Sequence, residues 1–192
     1  MEHLSALPLR VAREDDIDRI MELEAGGFAP AIRESREVML TRLRHFPQGF
    51  LILEHGLEQD GAQIIGYLCS ERWTRDAADG GLFDPAHFTL GHDIRDTHHA
   101  NGDCLYISSM TIAPAHRGNG MGRRFFTQAL ALLRQRLPGL RASVLLLSAE
   151  WQGAQRIYQS CGYTEIARLD GFFADIAQED AGAIVMQLAL DR

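Results

Sequence analysis

Apolar residues along the chain follow two periods, and the alternation between them sketches an α/β order. Leu9-Arg10-Val11-Ala12 alternates as a first strand does, and Arg13-Glu14-Asp15-Asp16 then places acids where the positive end of a helix dipole favours them. Ile17, Ile20, Met21, Leu23 and Glu24 share one side at helical spacing, and Gly26-Gly27 are the expected stop of that helix. A loop at Phe28-Ala29-Pro30-Ala31 precedes a second amphipathic helix from Ser35 to His45, with Val38, Leu40 and Leu43 on its apolar side. Phe50 to Glu54 and Ala62 to Trp73 have strand character and form an antiparallel pair turned at Gln59-Asp60-Gly61. From Thr74 to Gly102 no period is sustained, and glycine, aspartate, proline and four histidines predict a long flexible loop on the substrate side. Beyond it the pattern gives a strand at 104–113, a helix at 120–137 stopped by Pro138-Gly139, and a strand at 142–148. A helix at 151–161 and closing strands near 163–169 and 182–190 complete the order. No repeat, low-complexity tract or linker interrupts it, so one domain over residues 1–192 is expected.

Composition narrows the classes. At 192 residues, 46% hydrophobic and 23% charged, the chain can bury a sizeable core. A net charge of −7 disfavours a nucleic-acid partner. The apolar runs are too short to cross a bilayer, and Met1-Glu2-His3-Leu4-Ser5 lacks the form of a signal peptide, so a cytoplasmic protein without a membrane partner is expected. Cys69, Cys104 and Cys161 are too scattered for a disulfide framework or a zinc ribbon. All 19 basic residues are arginine. The absence of lysine excludes a Walker nucleotide loop, a protein kinase and a pyridoxal enzyme, each of which depends on one.

The most telling segment runs from Leu105 to Arg124, where a strand gives way to a glycine-rich turn and a helix start. Glycines at 118, 120 and 122 let the backbone approach an anion, and the first helical turn offers unpaired N–H groups to it. Arg117, Arg123 and Arg124 add side-chain charge. The glycine spacing does not match the Rossmann fingerprint. The order Arg117-x-x-Gly120-x-Gly122 instead resembles the coenzyme A pyrophosphate loop of the GCN5-related N-acetyltransferase (GNAT) superfamily. Downstream, Ala154-Gln155-Arg156-Ile157-Tyr158 through Cys161-Gly162-Tyr163 is similar to that family's helix end, after the apolar strand Val144 to Ser148. Glu22-Leu23-Glu24 through Phe28, with Trp73 and His92, further resembles the arylalkylamine N-acetyltransferase group.

The resemblance implies a GNAT fold: a mixed, mostly antiparallel twisted sheet of about seven strands, splayed between the fourth and fifth, with about four helices. It implies acetyl-CoA as cosubstrate and direct attack by a primary amine in a ternary complex. By this similarity Met110, Thr111 and Ile112 pair with the pantetheine arm, and the Met110 N–H polarises the thioester carbonyl. Arg117, Gly118, Asn119, Gly120, Met121, Gly122 and Arg123 hold the pyrophosphate, and Tyr158 is the acid that protonates the leaving thiolate. The acceptor is expected to be a small amine, an arylalkylamine or polyamine, bound near Phe28, Pro30, Glu71, Trp73, Tyr106 and Ser108, with Phe173 as a further wall. A protein N-terminus or lysine as acceptor, with 74–102 as a peptide platform, is the second reading. A noncatalytic acyl-CoA-binding domain is the third. The chain is expected to act as a monomer or homodimer.

Two departures stand out. Tyr106 and Ser108 occupy the positions at which the serotonin-acetylating enzyme has two histidines, and neither is a base near neutral pH, so a water route to Glu71, Asp103 or a loop histidine is expected. Trp151 replaces a coenzyme-contacting Asn. The cluster His92, Asp93, Asp96, His98 and His99 has no metal-ligand spacing, and no metal is expected. Cys161, one turn after Tyr158, is expected to be structural rather than an acyl carrier, since no His or Lys accompanies it locally.

Overall fold

The computed structural model describes residues 6–56, 61–75, 87–173 and 182–190. Among them the β-branched and leucine-rich segments form β1 (Leu9–Val11), β2 (Phe50–His55), β3 (Gln63–Trp73), β4 (Cys104–Ile112), β5 (Ala142–Ser148), β6 (Thr164–Leu169) and β7 (Ala183–Ala189). They make one sheet in the order β1-β2-β3-β4-β5-β7-β6. β4 and β5 are parallel, whereas every other neighbouring pair is antiparallel. The turn expected at Gln59-Asp60-Gly61 lies largely outside the described residues.

Strand alternation decides which helices cover which face. Leu51, Leu53, Leu68, Leu105, Ile107 and Leu145 point to one side, where α4 (Met121–Arg136) buries Phe125, Phe126, Ala129 and Leu133 and α5 (Gln152–Ser160) adds Ala154 and Tyr158. Phe50, Ile52, Tyr67 and Cys69 point to the other side, where α1 (Ile17–Gly27) and α2 (Arg36–His45) contribute Ile17, Ile20, Leu23, Met39 and Leu43. Ser35 caps α2, its hydroxyl accepting from the Val38 N–H at 3.2 Å.

Two expectations change. Gly26 and Gly27 do not stop α1 but form its last turn, and Gly27 is required by packing: a Cβ there would lie 2.4 Å from Thr111 Oγ1 on β4. The part of the expected loop from residue 87 to residue 102 carries structure of its own. Ile94 and Phe88 are both buried, and α3 (Ile94–Thr97), capped by Asp93, adds a fifth helix. Residues 76–86 lie outside the described residues.

The sheet opens at its centre. β4 and β5 pair from Cys104↔Ala142 only as far as Ile107↔Leu145, although β4 continues to Ile112 and β5 to Ser148. The cause is local to β4. Its register with β3 jumps from Ser70↔Ile107 to Cys69↔Ser109, leaving Ser108 as a bulge. A bulge bends and twists its strand, so β4 turns away from β5 at the residue after their last pairing.

Candidate functional site

A cavity of about 480 Å³ occupies the gap between the diverging strands. Tyr106 to Ile112 of β4 form one wall, Leu145 to Leu147 of β5 the opposite one, and α5 contributes Gly153, Ala154, Ile157 and Tyr158. Beyond Ile107 no neighbouring strand pairs with the β5 side of β4 among the described residues. An extended chain with amide groups could pair there as an added strand.

At the end of β4 the loop takes the form that an anion site needs. Gly118 (φ 92°), Asn119 (φ 48°) and Gly120 (φ 73°) are three successive residues with positive φ, leading directly into α4. A Cβ at Gly118 or Gly120 would meet no protein atom within 4 Å, so the space before these residues is open. The 16-residue α4 then begins with no side-chain cap and no acid in its first turn; the Met121 N–H turns back to the Gly118 carbonyl at 3.0 Å, which leaves the Gly122 and Arg123 N–H groups and the positive dipole end to a ligand. Gly118 and Gly122 line the cavity, whereas Asn119, Gly120, Met121 and Arg123 carry the loop past its rim. Arg117 also lines the cavity, but its guanidinium turns inward. Its Nε donates to the Ile112 carbonyl at 2.9 Å and its Nη2 lies 3.4 Å from both the Gly26 carbonyl and Thr111 Oγ1. It ties the loop to β4 and the end of α1. These residues fit a diphosphate bound mainly through the backbone.

Tyr158 projects from α5 into the same cavity, with its ring edge-on to Phe126 at 4.9 Å. Burial, with a smaller contribution from Cys161, pushes its phenol up to about 12, so the hydroxyl stays protonated at neutral pH. Its oxygen makes no hydrogen bond among the described residues and is available to a ligand. Cys161 is not in the cavity wall. Its Sγ lies 3.5 Å from Thr127 Oγ1 on α4.

A further wall of the cavity is aromatic and acidic. Phe28, Trp151 and Phe173 form a row, with centroids 5.7 Å and 6.3 Å apart, and Ile32 and Leu90 extend it. Trp151 thus stands in this wall as an apolar surface. Glu24 and Glu34 line the cavity as well. Glu24 is 1% exposed, and its Oε1 accepts the Glu34 N–H at 2.8 Å while its Oε2 accepts from Tyr67 Oη. Tyr67 Oη in turn lies 2.8 Å from Ser109 Oγ on β4. Burial is the largest influence on Glu24, and the carboxyl lies above its ordinary range. The buried Arg42 guanidinium stands 2.9 Å from Glu34 Oε1.

The other residues expected around the acceptor are divided. Phe28, Tyr106 and Ser108 do line the cavity, but Pro30, Glu71 and Trp73 do not. Trp73 stacks on Tyr106 at 4.0 Å within a separate buried cluster. Glu71 is 1% exposed and accepts from His92 Nε2 at 2.5 Å and from the Thr97 hydroxyl at 2.8 Å. Asp103 pairs with Arg75 at 2.7 Å. The loop histidines and acids go to different partners: Asp93 to Arg95, and His98 Nδ1 to the Arg72 N–H. Among the described residues no three His, Cys, Asp or Glu side chains converge on one point. The sequence assigns no place in the site to Glu24, Tyr67, Ser109 or Glu34, although Glu24 belongs to the segment that resembles the arylalkylamine group. The other available signal was an acid on the apolar face of the first helix.

No helix among the described residues is long and apolar enough to cross a membrane. A search of curated proteins returns no match. Solved structures with the same fold include the loading GNATL domain of CurA from Lyngbya majuscula, 17% identical with a TM-score of 0.76 over 96% of this chain and 98% of that one. The GphF GNAT-like decarboxylase in complex with isobutyryl-CoA is 22% identical, with a TM-score of 0.73 over 95% and 98%. A putative acetyltransferase, yncA from Salmonella typhimurium with its cofactor acetyl-CoA, is 20% identical, with a TM-score of 0.66 over 98% and 96%. Residues 17–163, from the first turn of α1 to the residue before β6, match the Acetyltransferase (GNAT) family, and the chain belongs to it.

Proposed function

We propose that this protein is an N-acetyltransferase that moves the acetyl group of acetyl-CoA to the primary amine of a small, largely apolar molecule, by direct attack in a ternary complex. One observation carries the reading. The exposed edge of β4, the positive-φ loop before α4 and the Tyr158 hydroxyl all meet in one cavity whose remaining wall is aromatic and acidic. The loop and the α4 N-terminus hold the diphosphate, and Met110 to Ile112 pair with the pantetheine arm. The Met110 N–H then faces the thioester carbonyl and stabilises the charge that develops on its oxygen. Tyr158 protonates the departing thiolate. Burial holds the phenol protonated until the thiolate forms beside it, so the proton is in place for the leaving group.

We favour a small acceptor over a peptide on the apolar side chains of Ile32, Leu90 and Phe173, which line the same cavity as Phe28 and Trp151. We place the protein in the cytoplasm as a single domain, in keeping with its three free cysteines. The test is thiol release from acetyl-CoA across a panel of amines. Tyr158→Phe is expected to lower kcat about a hundredfold while leaving acetyl-CoA affinity unchanged in calorimetry. Gly120→Val, which puts a β-branched side chain at φ 73°, is expected to weaken that affinity instead. Wild-type turnover in the first variant, or full affinity in the second, would remove the role assigned to that residue.

A further inference from the structure

A primary amine is protonated at neutral pH, so the proposed transfer must dispose of a proton before nitrogen can attack. Tyr106 cannot take it: burial raises its phenol further, and the ring is stacked on Trp73. Ser108 Oγ is turned to the Cys69 carbonyl at 3.2 Å. Glu71 is out of the cavity and already bonded to His92 and Thr97.

A different set of groups leads from the cavity into the protein. Ser109, beside Met110 on β4, is half-buried and lines the cavity. Behind it stand Tyr67 Oη at 2.8 Å and then Glu24. The polarity of this chain follows from its far end. A Glu24 carboxylate can only accept, so Tyr67 donates to it. The Tyr67 oxygen is then free to accept from Ser109, and the Ser109 oxygen is left to accept from whatever occupies the cavity. Every link is therefore set to pass a proton inward.

Resting on the acetyl-transfer reading, we propose that Ser109, Tyr67 and Glu24 form a proton relay for a cationic primary amine, with Glu24 as the sink. The N–H bond of the ammonium breaks and its proton goes to Ser109 Oγ. The Ser109 proton moves to Tyr67 Oη and the Tyr67 proton to Glu24 Oε2. The nitrogen keeps the electron pair with which it attacks the thioester carbonyl. After the amide product leaves, the same three groups return the proton to water. The groups that face Glu24 suit this role. Tyr67 comes from β3, Glu34 and Arg42 from the segment leading into α2 and from α2 itself, and β4 supplies the neutral Ser109. Burial and the Glu34 charge raise the carboxyl, whereas the Tyr67 and Glu34 N–H bonds and Arg42 lower it, and the balance leaves it more basic than an ordinary glutamate. Arg42 offsets Glu34, which leaves the Glu24 charge as the complement of an ammonium, with Phe28 and Trp151 for an apolar tail.

The decisive variant is Glu24→Gln in the full chain, because its amide keeps an oxygen for the Glu34 N–H but cannot accept a proton. With the best amine of the panel, kcat at pH 7 is expected to fall about 10²- to 10⁴-fold. The loss should shrink as pH rises toward the amine's own ionisation, while acetyl-CoA affinity stays at the wild-type value. A purely structural defect would lower kcat equally at every pH. Ser109→Ala should show the same pH pattern, and the double variant should cost no more than the worse single one. Glu24→Gln turnover within twofold of wild type across the pH range, or additive losses in the double variant, would overturn the relay. If Glu24→Gln fails to fold in a thermal melt, Ser109→Ala decides alone by the same pH criterion. A wild-type chain that binds acetyl-CoA yet transfers to no amine would instead sink the acetyl-transfer reading, and the relay with it.

Discussion

Glu24 answers two opposing demands, since a carboxylate buried enough to gain basicity is also one that the fold would sooner keep neutral. Its carboxyl lies above its ordinary range, first because of burial and then against the bonds from Tyr67 and the Glu34 N–H. A raised pKa means that the folded state binds the proton more tightly than the unfolded chain does. The resulting stabilisation is complete below the unfolded value, near 4.5, and is lost as pH rises through the folded value. Glu24→Gln, permanently neutral, is therefore expected to melt above the wild type at neutral pH and close to it in acid. A melting difference that does not change with pH would contradict this. The same residue shows what local pattern could reveal. Tyr158 and the run from Arg117 to Gly122 could be read because their chemistry lies in short-range spacing. Glu24, Tyr67 and Ser109 are separated by 43 and 42 positions, and only the packing of α1 against β3 and β4 joins them.

At the scale of elements, strands and helices were legible wherever periodicity set them, and β4, α4 and β5 fall within about a residue of their expected bounds. Failures came where tertiary contact gives a residue its meaning. Gly26-Gly27 has the form of a helix stop, yet α1 continues through both because its last turn presses on β4 beside the cavity. The two glycines should respond differently to substitution. A Cβ at Gly27 would stand 2.4 Å from Thr111 Oγ1, whereas one at Gly26 would lie 3.8 Å from Pro114 in ordinary contact. Gly27→Ala is expected to cost about 1–3 kcal/mol in urea denaturation. Gly26→Ala should be neutral or gain up to about 1 kcal/mol from helix propensity. Equal effects would mean that α1 does not approach β4 this closely. The segment after β3 misled in the opposite sense: Phe88 and Ile94 are too isolated in sequence to show a period, but both are buried against the sheet.

Across the whole molecule the sheet is continuous in order but divided in its hydrogen bonding, because β4 and β5 share register only from Cys104 to Ile107. The half with β1 to β4 supplies the exposed strand edge, the Ser109 relay and the loop. The other half supplies the β5 wall, and α5 places Tyr158. A ligand that pairs with β4 and reaches the α4 N-terminus would span this division, so its binding energy would add to the cohesion of the fold. At acetyl-CoA concentrations a hundredfold above Kd the gain is about 2.7 kcal/mol, or roughly 5–10 °C in Tm for a chain of this size. The location of the effect is more diagnostic than its size. Amides that exchange by local opening should slow in Ser108–Ile112 and in Gly118–Arg123, while those of the three-residue edge strand β1 should keep their rates. Slowing confined to the loop would mean that the diphosphate is held but the pantetheine arm does not pair with β4. Met110 would then lose its place beside the thioester, and Ser109 with it, since both positions depend on that pairing.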